Sequence, residues 1–135
     1  MDLMHSLMIS AAGMKVQGER LRVVAENLAN ADSVAEKPGG DPYRRKTITF
    51  RNELDRQLGL ETVQVDKVGT DRSDFRMKYD PGNPAADERG YVKLPNVNSL
   101  IEMTDMREAQ RSYEANLKAI EVARSMLQRT IDLLR

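Results

Sequence analysis

Residues 2–30, DLMHSLMISAAGMKVQGERLRVVAENLAN, decide the fold. Apolar or small residues recur at Met4, Leu7, Ala11, Met14, Gly18, Leu21, Ala25 and Leu28, in alternating steps of three and four. Such steps keep one stripe on one face of an α-helix, with the ~3.5-residue period of a coiled-coil seam. The far end of the chain repeats the pattern at Met106, Ala109, Tyr113, Leu117, Ile120, Ala123, Leu127, Ile131 and Leu134. Two matching seams predict two long helices that pack on each other. All five prolines lie between Pro38 and Pro95, so the irregular part of the chain is its middle.

The first helix is expected over residues 2–30, stopped by Asn30-Ala31-Asp32-Ser33. Ser99 with Glu102 three residues on forms a capping-box pattern, which opens a second helix running to about Leu134. The second helix is the longer, so its first turns, around Leu100, Ile101 and Met103, are expected to pack on a β element. Strand alternation marks Lys46 to Arg51 and Asp74 to Tyr79, with weaker signals at Thr62 to Val68 and Tyr91 to Leu94. Asp80-Pro81-Gly82-Asn83-Pro84 is a strong turn. The expected fold is mainly α with a small β region. Long N- and C-terminal helices form an antiparallel coiled-coil-like hairpin, with short strands and loops between them. Segment boundaries fall at 1–33, 34–95 and 96–135.

Composition limits what such a chain does. Its 135 residues suit one domain, but 40% apolar and 4% aromatic content against 31% charged gives a thin core that borrows stability from partners. Charge balances throughout: three acids and three bases in residues 1–30, twelve of each in 31–95 and six of each in 96–135. No third of the chain therefore offers the positive field that nucleic acid or an anionic membrane requires. The absence of cysteine removes disulfides, thiolate metal sites and a cysteine nucleophile. The N-terminus lacks a basic n-region and an A-x-A-like site, so no cleavable signal peptide is expected. The longest run free of Asp, Glu, Lys and Arg, Leu3 to Met14, falls well short of the roughly 20 residues of a spanning helix.

Catalysis has little to work with. His5 is the single histidine, and no phosphate-loop, dinucleotide or H-E-x-x-H motif occurs. Asp80, Asp87 and Glu88 lack the spacing of a calcium loop. No catalytic, cofactor or metal residue is expected. Pro42-Tyr43-Arg44-Arg45-Lys46 is the basic cluster; a solvated strand edge is its first explanation and contact with an acidic partner its second. Asn116 lies along the second seam, either fixing register or facing water. At Gly18 the missing side chain points to close approach of another backbone, while Gly13 divides evenly between that role and a tolerated glycine.

The outer faces of the two helices differ. Opposite its seam the first helix carries Ile9, Val16 and Val23 at heptad spacing with Val24 beside them, a second apolar face that marks an interface. The second helix turns Arg107, Glu108, Arg111, Glu114, Lys118, Glu121 and Arg129 outward, a face that expects water. One apolar and one wet outer face suit the wall of a tube.

Ser10-Ala11-Ala12-Gly13-Met14, Gln17, Arg20-Leu21 and Ala25-Glu26-Asn27-Leu28-Ala29-Asn30-Ala31 resemble the N-terminal signature of bacterial flagellar rod and hook axial proteins. Three further segments resemble the proximal rod members in particular: Pro42 to Lys46, Tyr79-Asp80-Pro81-Gly82 through Gly90-Tyr91-Val92 to Pro95-Asn96-Val97, and Glu102-Met103 with Arg111 to Asn116. The resemblance implies a structural subunit of the basal-body rod in the periplasmic space, polymerising helically with other rod proteins into a hollow drive shaft. It implies as partners other copies of the chain, the rod proteins FlgB and FlgF, the protein FliE, the MS ring and the flagellar type III export apparatus. It also implies that the C-terminal helix lines the channel, through Arg111, Glu114, Lys118, Glu121 and Arg129. The expected intramolecular seam comprises Met4, Leu7, Ala11, Met14, Leu21, Leu28, Met106, Tyr113, Leu117, Ile120, Leu127 and Leu134. The expected subunit interface comprises Ile9, Val16, Val23, Val24, Asn27, Asn30, Tyr43, Arg44 and Arg45. A soluble helical-hairpin adaptor or export chaperone is the alternative that carries the same two seams.

Overall fold

The computed structural model describes residues 2–135; Met1, inside the expected 1–33 segment, lies outside the described residues. Helix α1 spans Leu3–Ala29 and helix α2 spans Ser99–Leu133. Between them lie β1 (Lys46–Asp55), β2 (Leu60–Thr70), β3 (Arg76–Tyr79) and β4 (Tyr91–Leu94). At ~1.5 Å per residue the helices are about 40 and 52 Å long. The architecture is mixed helix with a small β region.

Local chemistry explains each boundary. The Asp2 carboxylate accepts the Met4 backbone N–H at 2.6 Å and so caps α1. Asn98 caps α2: its Oδ1 accepts the N–H groups of Leu100 at 3.1 Å and Ile101 at 3.4 Å. The expected Ser99–Glu102 capping box is thus replaced, which frees Glu102 to turn inward. The β1–β2 pair forms one two-stranded sheet and β3–β4 another. In the second, antiparallel, Arg76 pairs with Leu94 and Tyr79 with Tyr91. The two tyrosine rings meet edge to face at 5.3 Å. Gly90 follows from that contact: its φ is 85°, and a Cβ there would lie 2.9 Å from the Tyr79 ring.

The chain divides into two compact units, each drawing on both helices and on part of the middle. One comprises Met1–Leu21, Ile48–Lys67 and Arg107–Arg135; the other comprises Arg22–Thr47 and Val68–Met106. In the first unit the Gly13 backbone approaches Asn116, where an added Cβ would sit 2.9 Å from the amide atoms, and Arg20 pairs with Glu108 at 3.5 Å. In the second, Asn27 Nδ2 donates to Glu102 Oε2 at 3.3 Å. Within the first unit the partners on α2 descend from Asn116 to Glu108 as those on α1 rise from Gly13 to Arg20. At Gly13 it is the Asn116 side chain, not another backbone, that comes close. Gly18, where close approach was expected, has open space around it.

Burial reverses the expected faces of α1. Val16, Val23 and Val24 are 3%, 2% and 2% exposed, whereas Met4 is 49% exposed and Ala11 and Ala25 also face outward. The valine row is inside the chain. Ile9, Leu7, Met14, Leu21 and Leu28 are half-buried. On α2, Ala109 and Ala123 are buried, Met106, Tyr113, Ile120 and Leu127 are half-buried, and Leu117 and Leu134 are exposed. The physical reason is bulk. Branched valines hold few rotamers and pack well in an interior, so α1 buries its valine row and the longer side chains of the expected seam are left half-buried or outside.

A second correction concerns the start of α2. Leu100, Ile101 and Met103, expected to pack on the strands, are 74%, 58% and 51% exposed, while Glu102 among them is 1% exposed. The helix is turned so that its carboxylate, not its apolar residues, faces inward.

Candidate functional site

The inward-turned Glu102 is the centre of a polar hub that lies wholly in the second unit. Its Oε1 accepts the Arg45 Nε–H, and its Oε2 accepts from Asn27. Arg45 also reaches Asp71 at 3.5 Å. A buried carboxylate is tolerated only when paired and hydrogen-bonded, and Glu102 is both. Burial opposes the charge on the Arg45 guanidinium, yet the hydrogen bond and charge of Glu102, aided by Asp71, hold its pKa above the usual arginine value.

Asn27, 1% exposed, uses its whole amide. Its Nδ2 donates to the Lys46 carbonyl at 2.9 Å as well as to Glu102, and its Oδ1 accepts from the Lys46 N–H at 2.9 Å and the Tyr43 hydroxyl at 2.7 Å. The side chain thereby acts on residue 46 as a neighbouring strand would, taking both its N–H and its C=O. Burial raises the Tyr43 phenol to about 12, helped by the charges of Glu26 and Glu102. Asn96 performs a similar service one segment on: its Oδ1 accepts the Arg45 N–H at 2.8 Å and its Nδ2 donates to the Asp71 and Ser73 carbonyls. The hydrogen bonds of Ser73, and then the Arg45 charge, hold the Asp71 carboxyl below the usual aspartate range. Arg44 donates to the same two carbonyls and stacks on Phe75 at 4.2 Å.

The other candidate features are surfaces. In the first unit Leu3 and Ser6 of α1 and Ala115, Lys118, Ala119, Val122, Ala123 and Met126 of α2 line an open groove of about 460 Å³. Its lining residues Val122 and Met126 are 54% and 49% exposed, and Ile131, outside it, is 50% exposed. The described residues contain no cluster of metal-ligating side chains and no helix long and apolar enough to cross a membrane.

Comparison with known proteins decides what such a molecule is. The family described as "Flagellar basal body rod FlgEFG protein C-terminal" matches residues 88–133. The flagellar basal-body rod protein FlgC of Agrobacterium fabrum is 60% identical over 127 residues, covering 94% of this chain and 91% of that protein. The FlgC proteins of Salmonella typhimurium and Aquifex aeolicus are 41% and 42% identical, each across 98% of this chain and 98% and 97% of their own lengths. The chain belongs to the FlgC family of flagellar basal-body rod proteins. It is a structural subunit of the basal body, not an enzyme.

For a FlgC-family subunit the placement of the expected contact residues matters. Pro42 to Lys46 is not a solvated edge: Pro42 is buried, and Tyr43, Arg44, Arg45 and Lys46 are engaged inside the chain. Asn27 is likewise consumed internally, and Asn30 donates to the Glu26 carbonyl at 2.8 Å. Val16, Val23 and Val24 have no surface left to offer. Arg111, Glu114, Lys118, Glu121 and Arg129 are exposed, as are the outward residues Arg107 and Glu108. Glu102 was missed as a hub residue because its position three after Ser99 matches a cap. The signal available was its company, an acid among Leu100, Ile101 and Met103.

Proposed function

We propose that this chain is a proximal-rod subunit in which α1 and α2 form an antiparallel coiled-coil-like hairpin whose outward apolar rows are completed by neighbouring subunits. One observation carries the reading. Among the described residues nothing apolar larger than valine is fully buried, while Leu100, Ile101, Met103, Val122, Met126 and Ile131 stand at least 49% exposed. A fully buried Val, Leu or Met side chain contributes about 1.5–3 kcal/mol, and this chain leaves its largest contributors in water. Such an apolar surplus marks association. Repeated contacts between unlike faces then propagate a helical filament.

Copies of the same chain, FlgB and FlgF are the neighbours proposed for these faces, with FliE and the MS ring at the base and the flagellar type III apparatus as the export route to the periplasmic space. The charged row Arg111, Glu114, Lys118, Glu121 and Arg129 is proposed to face the channel, since a row of both signs stays wet and does not grip passing chains. The hairpin reading is supported, within the first unit, by the order of the Gly13–Asn116 and Arg20–Glu108 contacts.

The test is Val122→Asp with Met126→Asp. These exposed changes leave the isolated chain folded by circular dichroism and abolish motility and recovery of rods in purified basal bodies. Normal rods carrying both substitutions would remove the proposed face.

A further inference from the structure

The first unit holds two unpartnered features that match each other. One is the turn between β1 and β2. Residues 56–59 join the strands; Asp55 Oδ1 accepts the N–H groups of Gln57 at 2.9 Å and Leu58 at 3.3 Å, and the Gly59 N–H donates to the Asp55 carbonyl at 2.8 Å. The tip is thus fixed by its own hydrogen bonds, yet its Leu54 and Leu58 are exposed. Three acids, Glu53, Asp55 and Glu61, against one base, Arg56, give residues 53–61 a net charge of −2. The other feature is the open groove of about 460 Å³, where Ala115, Ala119 and Ala123 are joined by Val122 and Met126. Among the described residues Lys118 is the one charged side chain that lines it, and no residue of the tip does.

We infer that the groove of one copy receives the β1–β2 tip of a second copy, with Leu54 and Leu58 over the alanines and Lys118 facing the carboxylates. The inference rests on the proposed reading that neighbouring subunits cover the Val122 and Met126 face, and it names the occupant. Charge selects that occupant. The other exposed apolar segment of this unit, residues 127–135 of α2, carries Arg129 and Arg135 against Asp132 and is repelled by Lys118, whereas the tip is attracted. The three alanines leave room for branched side chains. A lysine stem lines apolar surface while its ammonium stays at the wet edge, in reach of a carboxylate. A turn held by its own hydrogen bonds loses little freedom on docking. Tip and groove are different surfaces and both are free on every copy, so the contact is heterologous and repeats from copy to copy.

The chain has no cysteine, so introduced thiols are the only ones. Leu58→Cys and Ala119→Cys together on the full chain, oxidised in purified basal bodies, give disulfide-linked dimers and longer ladders of the chain, and either substitution alone gives none. Rods that assemble without the ladder overturn the inference. A charge swap reads the same contact without thiols. Lys118→Glu lowers the recovery of rods at least about tenfold, because like charges set across an interface repel, and adding Glu53→Lys with Glu61→Lys restores it. Full recovery with Lys118→Glu alone, or a defect that the tip changes do not repair, overturns the inference, and the swap decides alone should the thiol pair build no rods. Those failures leave the proposed face standing as long as Val122→Asp with Met126→Asp abolishes rods; normal rods from that pair remove both.

Discussion

Replacing Asn27 by alanine probes the hub at its most connected side chain. Four hydrogen bonds vanish: two to the backbone of Lys46, one from Tyr43 and one to Glu102. Three neutral bonds at ~1 kcal/mol each and one to a carboxylate at ~1.5–3 kcal/mol set an upper range near 5 kcal/mol. Water reaches half-buried Tyr43 and Lys46 in the variant, and alanine's better helix propensity returns ~0.6 kcal/mol. A net loss of about 3 kcal/mol remains. That is a large part of the ~5–15 kcal/mol of a whole domain. Urea unfolding followed by circular dichroism measures it as a lowered midpoint at constant slope. Asn30→Ala, which loses one bond to Glu26, is the control at ~1 kcal/mol. A loss below about 1 kcal/mol at Asn27 refutes the view that the hub organises this unit.

The two α1 glycines separate cleanly. Gly18→Ala, in open space, stabilises the isolated chain by ~0.5–1 kcal/mol, while Gly13→Ala must push the Asn116 amide aside and gains less than Gly18→Ala does; thermal melts of both decide. Val16→Asp places a charge at a 3% exposed site and unfolds the isolated chain, which circular dichroism separates from the pure assembly defect that an outer-face residue would give. Tyr43 sets an alkaline limit. Its pKa is raised in the folded state, so its contribution is complete below the ordinary value near 10 and is lost as pH climbs toward about 12. The contribution is at most ~2 kcal/mol. The difference in tyrosine absorbance between the native chain and Tyr43→Phe follows the titration of Tyr43 and places it toward about 12.

The elements were legible in the sequence because each rests on local pattern. Steps of three and four gave both helices to within one or two residues of their ends, and alternation placed all four strands. The direction of each helix face was not legible. Helix α1 carries two apolar rows, Met4-Leu7-Ala11-Met14 and Ile9-Val16-Val23, and a 3.5-residue period fits either; burial, which depends on residues distant in sequence, selects the valines. The hub was illegible for another reason. Its bonds span 19 residues from Asn27 to Lys46, 57 from Arg45 to Glu102 and 75 from Asn27 to Glu102, and no local propensity records such distances. Pro42 to Lys46 reads as an exposed basic run until the carboxylates and amides that hold it are folded around it.

A density map of intact basal bodies that resolves side chains tests the central claim most directly. In the rod, Val122, Met126 and Ile131 are covered by neighbouring subunits, while Val16 and Val23 still face the interior of their own chain. Finding Val122, Met126 and Ile131 in water, with Val16 and Val23 at a subunit boundary, contradicts it.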